Sequence, residues 1–218
     1  MTLAPPGYTG LPVVHREGGA IEALKGTVVQ IDADVTKEVT EGKVVLDQEN
    51  QLLLETKGRR LTGSLLVLSP GTYHLKVKDE LGFENPDPVH YPIALIPDRV
   101  PEVEVIRPGQ DLEISGNETL EVVYAGRDDF GIAAVRLTYQ VGSREGTLSL
   151  KGSPSGRSFG PVSHRWDLGA LSLAPGERVA YRLEILDNDS VSGPKKGTSP
   201  TYILSVRDDR VQAFREGE

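Results

Sequence analysis

The stretch DNDSVSGPKKG, residues 187–197, concentrates residue types able to do chemistry. Its oxygens are of the kind calcium takes, in sets of six to eight drawn from several converging loops. A second acidic pair, RDDFG around 128–129, could supply more from another loop. The candidate calcium ligands are therefore Asp187, Asn188, Asp189, Asp128 and Asp129. The opposing reading is structural. Asp and Asn leave strands well because their side chains accept backbone N–H groups and tolerate left-handed geometry. The stretch also lacks the D-x-D-x-D-G spacing of an EF-hand loop. On this reading Asp187 organises its own loop, Gly193 permits the turn, Pro194 stiffens the exit, and Lys195 and Lys196 are solvated.

Other chemistries find less support. Adjacent carboxylates point to opposite sides of an extended chain, so Asp128 and Asp129 make a poor pair for glycoside hydrolysis. His15, His74, His90 and His164 fall in neither an H-x-H nor an H-E-x-x-H arrangement, which argues against a transition metal, and His74 sits on the polar side of its segment. No Ser lies in G-x-S-x-G, and the absence of cysteine excludes disulfides, thiolate zinc sites and a Cys nucleophile. The Gly- and Ser-rich segment 152–161 lacks the strand-to-helix setting of a phosphate loop and reads as a hairpin or inter-sheet loop. Trp166, the single tryptophan, is expected in a core rather than on a sugar-stacking face. These patterns predict no enzyme, no catalytic residue and no resident cofactor.

Charge narrows the partners. The net charge is −8, with 9 basic and 14 acidic side chains in residues 1–98 and 15 and 18 in the remainder. Neither half presents a basic body for phosphates, which excludes nucleic acid. No apolar run approaches the length of a membrane span, and MTLAPPGYTG lacks the pattern of a signal peptide.

The elements that must position these residues show themselves by alternation. In GTYHLKVKD, Tyr73, Leu75 and Val77 alternate with Thr72, His74 and Lys76; in RVAYRLEILD, Val179, Tyr181, Leu183 and Ile185 alternate with polar neighbours. Successive strand side chains face opposite ways, so each segment buries one face and wets the other. Both segments read Tyr-x-Leu-x-Val/Ile-x-Asp, ending at Asp79 and Asp187, after the turns Pro70-Gly71 and Pro175-Gly176. Each is followed by a polar loop, a Tyr-containing segment and Asp-Arg-Val, at 98–100 and 209–211. So many matches in one order identify a tandem repeat. Further strands are expected near 27–35, 43–47, 51–56, 60–68, 120–124, 133–141, 148–150 and 163–166. About seven short strands per hundred residues, with turn signals between them, predict an all-β chain of two tandem immunoglobulin-like or fibronectin-III-like antiparallel β-sandwiches. The domains are 1–98 and 99–208, joined by a semi-rigid elbow over PDRVPEVEV, 97–105, and followed by a tail, 209–218, that reads as the start of a truncated helix.

APPGYTGLP at 4–12, RDDFGI at 127–132 and LDNDSVSGPKKGTSPTY at 186–202 resemble a bacterial membrane-anchored envelope family with no assigned chemistry. Its members carry N-terminal transmembrane helices, Ig-like segments and an extended helical C-terminal region. The resemblance implies an extracytoplasmic chain, in the periplasm or cell envelope, that reaches a membrane only through segments outside these residues. Its expected role is that of a spacer or docking surface for a protein or another envelope component. The alternative is a ligand-binding module for polysaccharide or a calcium-dependent partner.

Overall fold

A computed structural model describes residues 1–47, 50–150 and 156–208. Close contacts divide the chain into two compact units, Met1–Asp98 and a second that begins at Arg99. The first contains β1 (Thr2–Ala4), β2 (Val14–His15), β3 (Ile21–Leu24), β4 (Val28–Asp34), β5 (Glu41–Leu46), β6 (Gln51–Lys57), β7 (Arg60–Leu66), β8 (Gly71–Lys78) and β9 (His90–Ile96). The second contains β10 (Glu102–Arg107), β11 (Leu112–Ile114), β12 (Thr119–Arg127), β13 (Ile132–Val141), β14 (Arg144–Ser149), β15 (Ser158–Asp167), β16 (Arg178–Asp187), β17 (Lys196–Thr198) and β18 (Tyr202–Val206).

The two units pair their strands by the same scheme. β4 lies between β1 and β7 as β12 lies between β10 and β15. On the other layer β5 pairs with β6 and β8, and β13 with β14 and β16. Short strands β3 and β11 then close the layer by running parallel to β9 and β18. The internal repeat read from sequence is thus a repeat of β-sandwich topology. The units differ at their margins. β6 pairs with β5 through Gln51–Leu54 and with β7 through Glu55–Lys57, which joins the two layers of the first unit. In the second unit β14 pairs with β13 and β15 with β12, and among the described residues they do not pair with each other.

Alternation drives the packing. β16 buries Val179, Tyr181, Leu183 and Ile185 on one face and leaves Arg178 and Arg182 exposed on the other. Neighbouring β13 adds Leu137 to the core, and the facing strands β12 and β15 add Val122, Tyr124 and Trp166. Each large aliphatic side chain removed from water contributes about 1.5–3 kcal/mol. The first unit builds a separate core around Val29, Ile31, Val44, Leu61 and Tyr73.

Two sequence boundaries shift. Glu102–Arg107 belongs to β10, because Val103 and Val105 are buried while Glu102 and Glu104 are exposed, so the join expected over 97–105 is shorter. The expected loop 152–161 gives up Ser158–Pro161 to β15, where Pro161 falls at the register shift between Tyr124 and Gly126 of β12, a place a proline tolerates. Residues 151–155 and the tail 209–218, including the Asp209-Arg210-Val211 match, lie outside the described residues.

Corresponding tyrosines anchor the two cores in different ways. Tyr73 is 2% exposed, packs 5.4 Å from Tyr91, and donates its hydroxyl to the Gly19 carbonyl at 2.6 Å. Burial, with Tyr91 beside it, pushes the Tyr73 phenol up to about 12, so it donates as a neutral hydroxyl. Tyr181 is 1% exposed and packs edge-on to Trp166 at 5.6 Å. Its buried hydroxyl has no hydrogen-bond partner among the described residues. A buried polar group without a partner costs stability that an apolar isostere does not. Tyr73→Phe is therefore expected to cost about 1 kcal/mol, whereas Tyr181→Phe is neutral or stabilising. Urea unfolding of both variants tests this contrast, and a Tyr181→Phe cost equal to that of Tyr73→Phe would contradict it.

Candidate functional site

β16 ends at Asp187, whose side chain continues the inward face of the strand and is 1% exposed. A carboxylate there is tolerated only with partners. Asp187 Oδ1 accepts the backbone N–H groups of Asp189 at 3.1 Å and Lys195 at 2.9 Å. The Asp187 N–H in turn donates to the Lys195 carbonyl at 3.1 Å, pinching the loop at its neck. Asp189, 3% exposed, repeats the device one turn further on, its Oδ1 accepting Val191 N–H at 2.8 Å and Ser192 N–H at 3.0 Å. Gly193 then adopts φ +91°, which a side chain would oppose.

The expectation of a solvated Lys195 is corrected. Lys195 Nζ lies 2.8 Å from Asp189 Oδ2 and 3.4 Å from Asp187 Oδ2, so the loop supplies its own cation to the two buried carboxylates. A net negative pair in a dry loop demands a counter-charge, and the Gly-Pro turn returns the chain to where Lys195 provides one. Lys196 is exposed but pairs with Glu184 at 3.3 Å. Burial pushes the Asp189 carboxyl up; the Lys195 ammonium and the N–H groups of Ser192 and Val191 outweigh it and hold the group below its ordinary value of 3.8.

Asp128 and Asp129 occupy the loop between β12 and β13. This loop meets the 187–195 loop where Asn188 N–H donates to the Gly131 carbonyl at 3.0 Å. A side chain at Gly131 would collide with that of Asn188, which explains the glycine. Asp128 Oδ2 accepts the N–H groups of Phe130 at 2.9 Å and Gly131 at 2.6 Å. Asp129 Oδ2 accepts Arg99 N–H at 3.2 Å, where the chain enters the unit. The five candidate residues are thus gathered at one end of one sandwich, but the carboxylates of its four aspartates each accept from backbone N–H groups of different residues. Among the described residues no group of three or more His, Asp or Glu side chains is placed to hold a metal ion.

Asp79, the counterpart of Asp187, does similar work in the first unit. Its Oδ1 accepts Leu81 N–H at 3.0 Å and Phe83 N–H at 2.9 Å. Its loop carries no lysine clamp, and the carboxylate remains partly exposed. Sequence reasoning misassigned Lys195 and missed Ser199. The latter is a buried hydroxyl that accepts Leu183 N–H at 3.0 Å and so continues the edge of β16 where β17 stops.

No protein-family model and no curated protein sequence matches the chain. Solved structures do. The fibronectin(III)-like modules of Clostridium thermocellum CbhA are 17% identical, covering 89% of this chain and 92% of theirs with a TM-score of 0.32. DIP-gamma IG1+IG2 is 14% identical, covering 87% and 94% at 0.29. A bacterial ice-binding adhesin is 13% identical, covering 84% of this chain and 58% of its own at 0.40. These likenesses are too distant to speak to function.

The lysine clamp makes a stability forecast. Lys195→Ala leaves two buried carboxylates facing each other, at a cost of about 2 kcal/mol. That is below the cost for a fully buried pair because the Lys195 side chain is 26% exposed. Asp189 has a lowered pKa in the folded state, so its contribution is present above its unfolded pKa and is lost as pH falls through the folded value. Unfolding free energies measured below about pH 4 should therefore decline, and Asp189→Asn should flatten the decline. A Lys195→Ala protein as stable as the parent would show that the clamp is solvent-screened and idle.

Proposed function

We propose that this chain is a non-enzymatic module of a bacterial envelope protein, displayed outside the cytoplasm, that spaces its parent and docks a protein or another envelope component. The observation that carries this reading is how the acidic loops use their carboxylates. Asp128, Asp129, Asp187 and Asp189 all accept backbone N–H groups, so the residues best able to do chemistry hold loops in place. A rigid loop end on a sandwich suits recognition, since ordering costs are met during folding rather than on binding. The edges of β14 and β15, unpaired among the described residues of the second unit, suit strand addition by an extended partner. The envelope setting rests on the resemblance of residues 4–12, 127–132 and 186–202. Among the described residues no helix is long and apolar enough to cross a membrane, and attachment would come from segments outside this chain.

A second reading, a polysaccharide-binding or calcium-dependent module, draws on one observation. The solvent face of β13, β14 and β16 holds an open groove of about 340 Å3 lined by Thr138, Gln140, Glu145, Thr147, Arg182 and Glu184. Hydroxyl, amide and charged groups of this kind match sugar hydroxyls. Trp166, at 2% exposure, is committed to the core and offers no stacking face.

The proposal is tested by fusing the parent gene, cut after residue 208, to a reporter enzyme active only outside the cytoplasm. Activity is expected, and a reporter active only in the cytoplasm would overturn the envelope setting. The calcium form of the second reading is separated by thermal unfolding. Millimolar calcium should leave the melting temperature unchanged. A rise of several degrees that Asp187→Asn abolishes would replace the structural account of the loop with a metal site.

A further inference from the structure

His74 and His90 stand apart in sequence, but β8 and β9 make them directly opposed cross-strand partners. Tyr73 and Tyr91, the preceding and following partners in the two strands, face the core, so alternation turns both imidazoles outward. His74 is half-buried and His90 exposed. Their ring centroids are 4.6 Å apart, with planes inclined by 46°. The imidazole that does hydrogen-bond among the described residues is that of His15, to the Thr2 hydroxyl; those of His74 and His90 do not.

We propose that His74 and His90 form a two-imidazole site for a borderline divalent transition metal, with zinc as its first test. Zinc takes imidazole nitrogens at about 2.0–2.1 Å in tetrahedral geometry, so two ligating nitrogens must lie about 3.4 Å apart. Rings whose centres are 4.6 Å apart on a fixed two-strand scaffold reach that spacing by side-chain rotation alone. Nitrogen donors select zinc or copper over calcium and magnesium, which ask for oxygen. The surrounding charge is compatible with a cation. Asp47 lies within electrostatic range of His90, its carboxylate anchored by Thr72 N–H at 2.5 Å. Lys76, two residues along from His74, is paired with Glu84 at 2.8 Å. The remaining coordination positions face solvent and would take water or a donor from a bound partner.

The repeat shows that the sandwich does not need this pair. The inward Tyr73–Tyr91 pair recurs as Tyr181–Tyr202. The positions outward of it, however, hold Arg182 and Thr201 in the second unit. Shared packing therefore accounts for the tyrosines and leaves the two histidines as a feature of the first unit alone.

Isothermal titration of the untagged full chain with zinc chloride near neutral pH is expected to show about one equivalent bound. His74→Ala and His90→Ala should each weaken binding at least tenfold, while His15→Ala and His164→Ala leave it unchanged. Both outward positions accept substitution without touching the core, and a thermal melt of each variant checks that it is folded. Zinc should raise the melting temperature of the parent and of neither pair variant. The absence of binding up to about 1 mM zinc, or binding that follows His15 instead, would overturn the site.

Discussion

A carboxylate buried at the end of a strand constrains one end of the second unit more than any other single group. Asp187 continues the apolar face of β16, so its charge enters the layer that Tyr181, Leu183 and Ile185 have dried. The cost of leaving it unpaired exceeds that of bending a loop around it. The loop therefore closes at its neck on the Lys195 backbone, turns at Gly193, and brings the Lys195 ammonium over Asp187 and Asp189. The neighbouring loop is drawn in through Asn188 and Gly131, and through Asp129 it holds the first residue of the unit. Much of what resembles a reactive cluster follows from satisfying one buried charge.

The tandem repeat acts as an internal control. Both units pair strands in one scheme and place an Asp at the end of the same strand, but they solve the local problem differently. Asp79 stays partly exposed and manages with two backbone N–H groups, whereas Asp187 is dry and adds a lysine. The tyrosine pairs repeat the lesson: Tyr73 reaches a carbonyl and Tyr181 does not. Positions fixed by packing between layers are shared, and positions that meet solvent or a loop diverge. The histidine pair and the open edges of β14 and β15 belong to the second class.

Legibility followed the same division. The sequence exposed β4 to β9 and β12 to β16, most clearly β13 and β16, whose buried faces repeat along several residues. It missed β1, β2, β3, β11 and β17, which have two to four residues each and so too few alternations to register. β10 was folded into the linker because two prolines, Pro97 and Pro101, dominate the reading of PDRVPEVEV. Asp187 could be placed as a loop organiser from its parity with Tyr181 and its recurrence at Asp79. Lys195 could not, since a lysine after a turn is ordinarily solvated and only the return path of the loop brings it to the two acids.

By itself the sequence determined an all-β chain, its division near Asp98, the inward faces of the long strands and the place of Asp187 at the end of one of them. Apart from the division, which was read from the repeat, these depend on near neighbours along the chain, where alternation and turn chemistry act. Tertiary structure alone decided which strands pair, that β6 joins two layers while β14 and β15 stay unpaired among the described residues, that Lys195 clamps two carboxylates, and that His74 meets His90. Those outcomes rest on register between strands distant in sequence. A one-residue slip in register would send every side chain to the other face, and no local pattern records it.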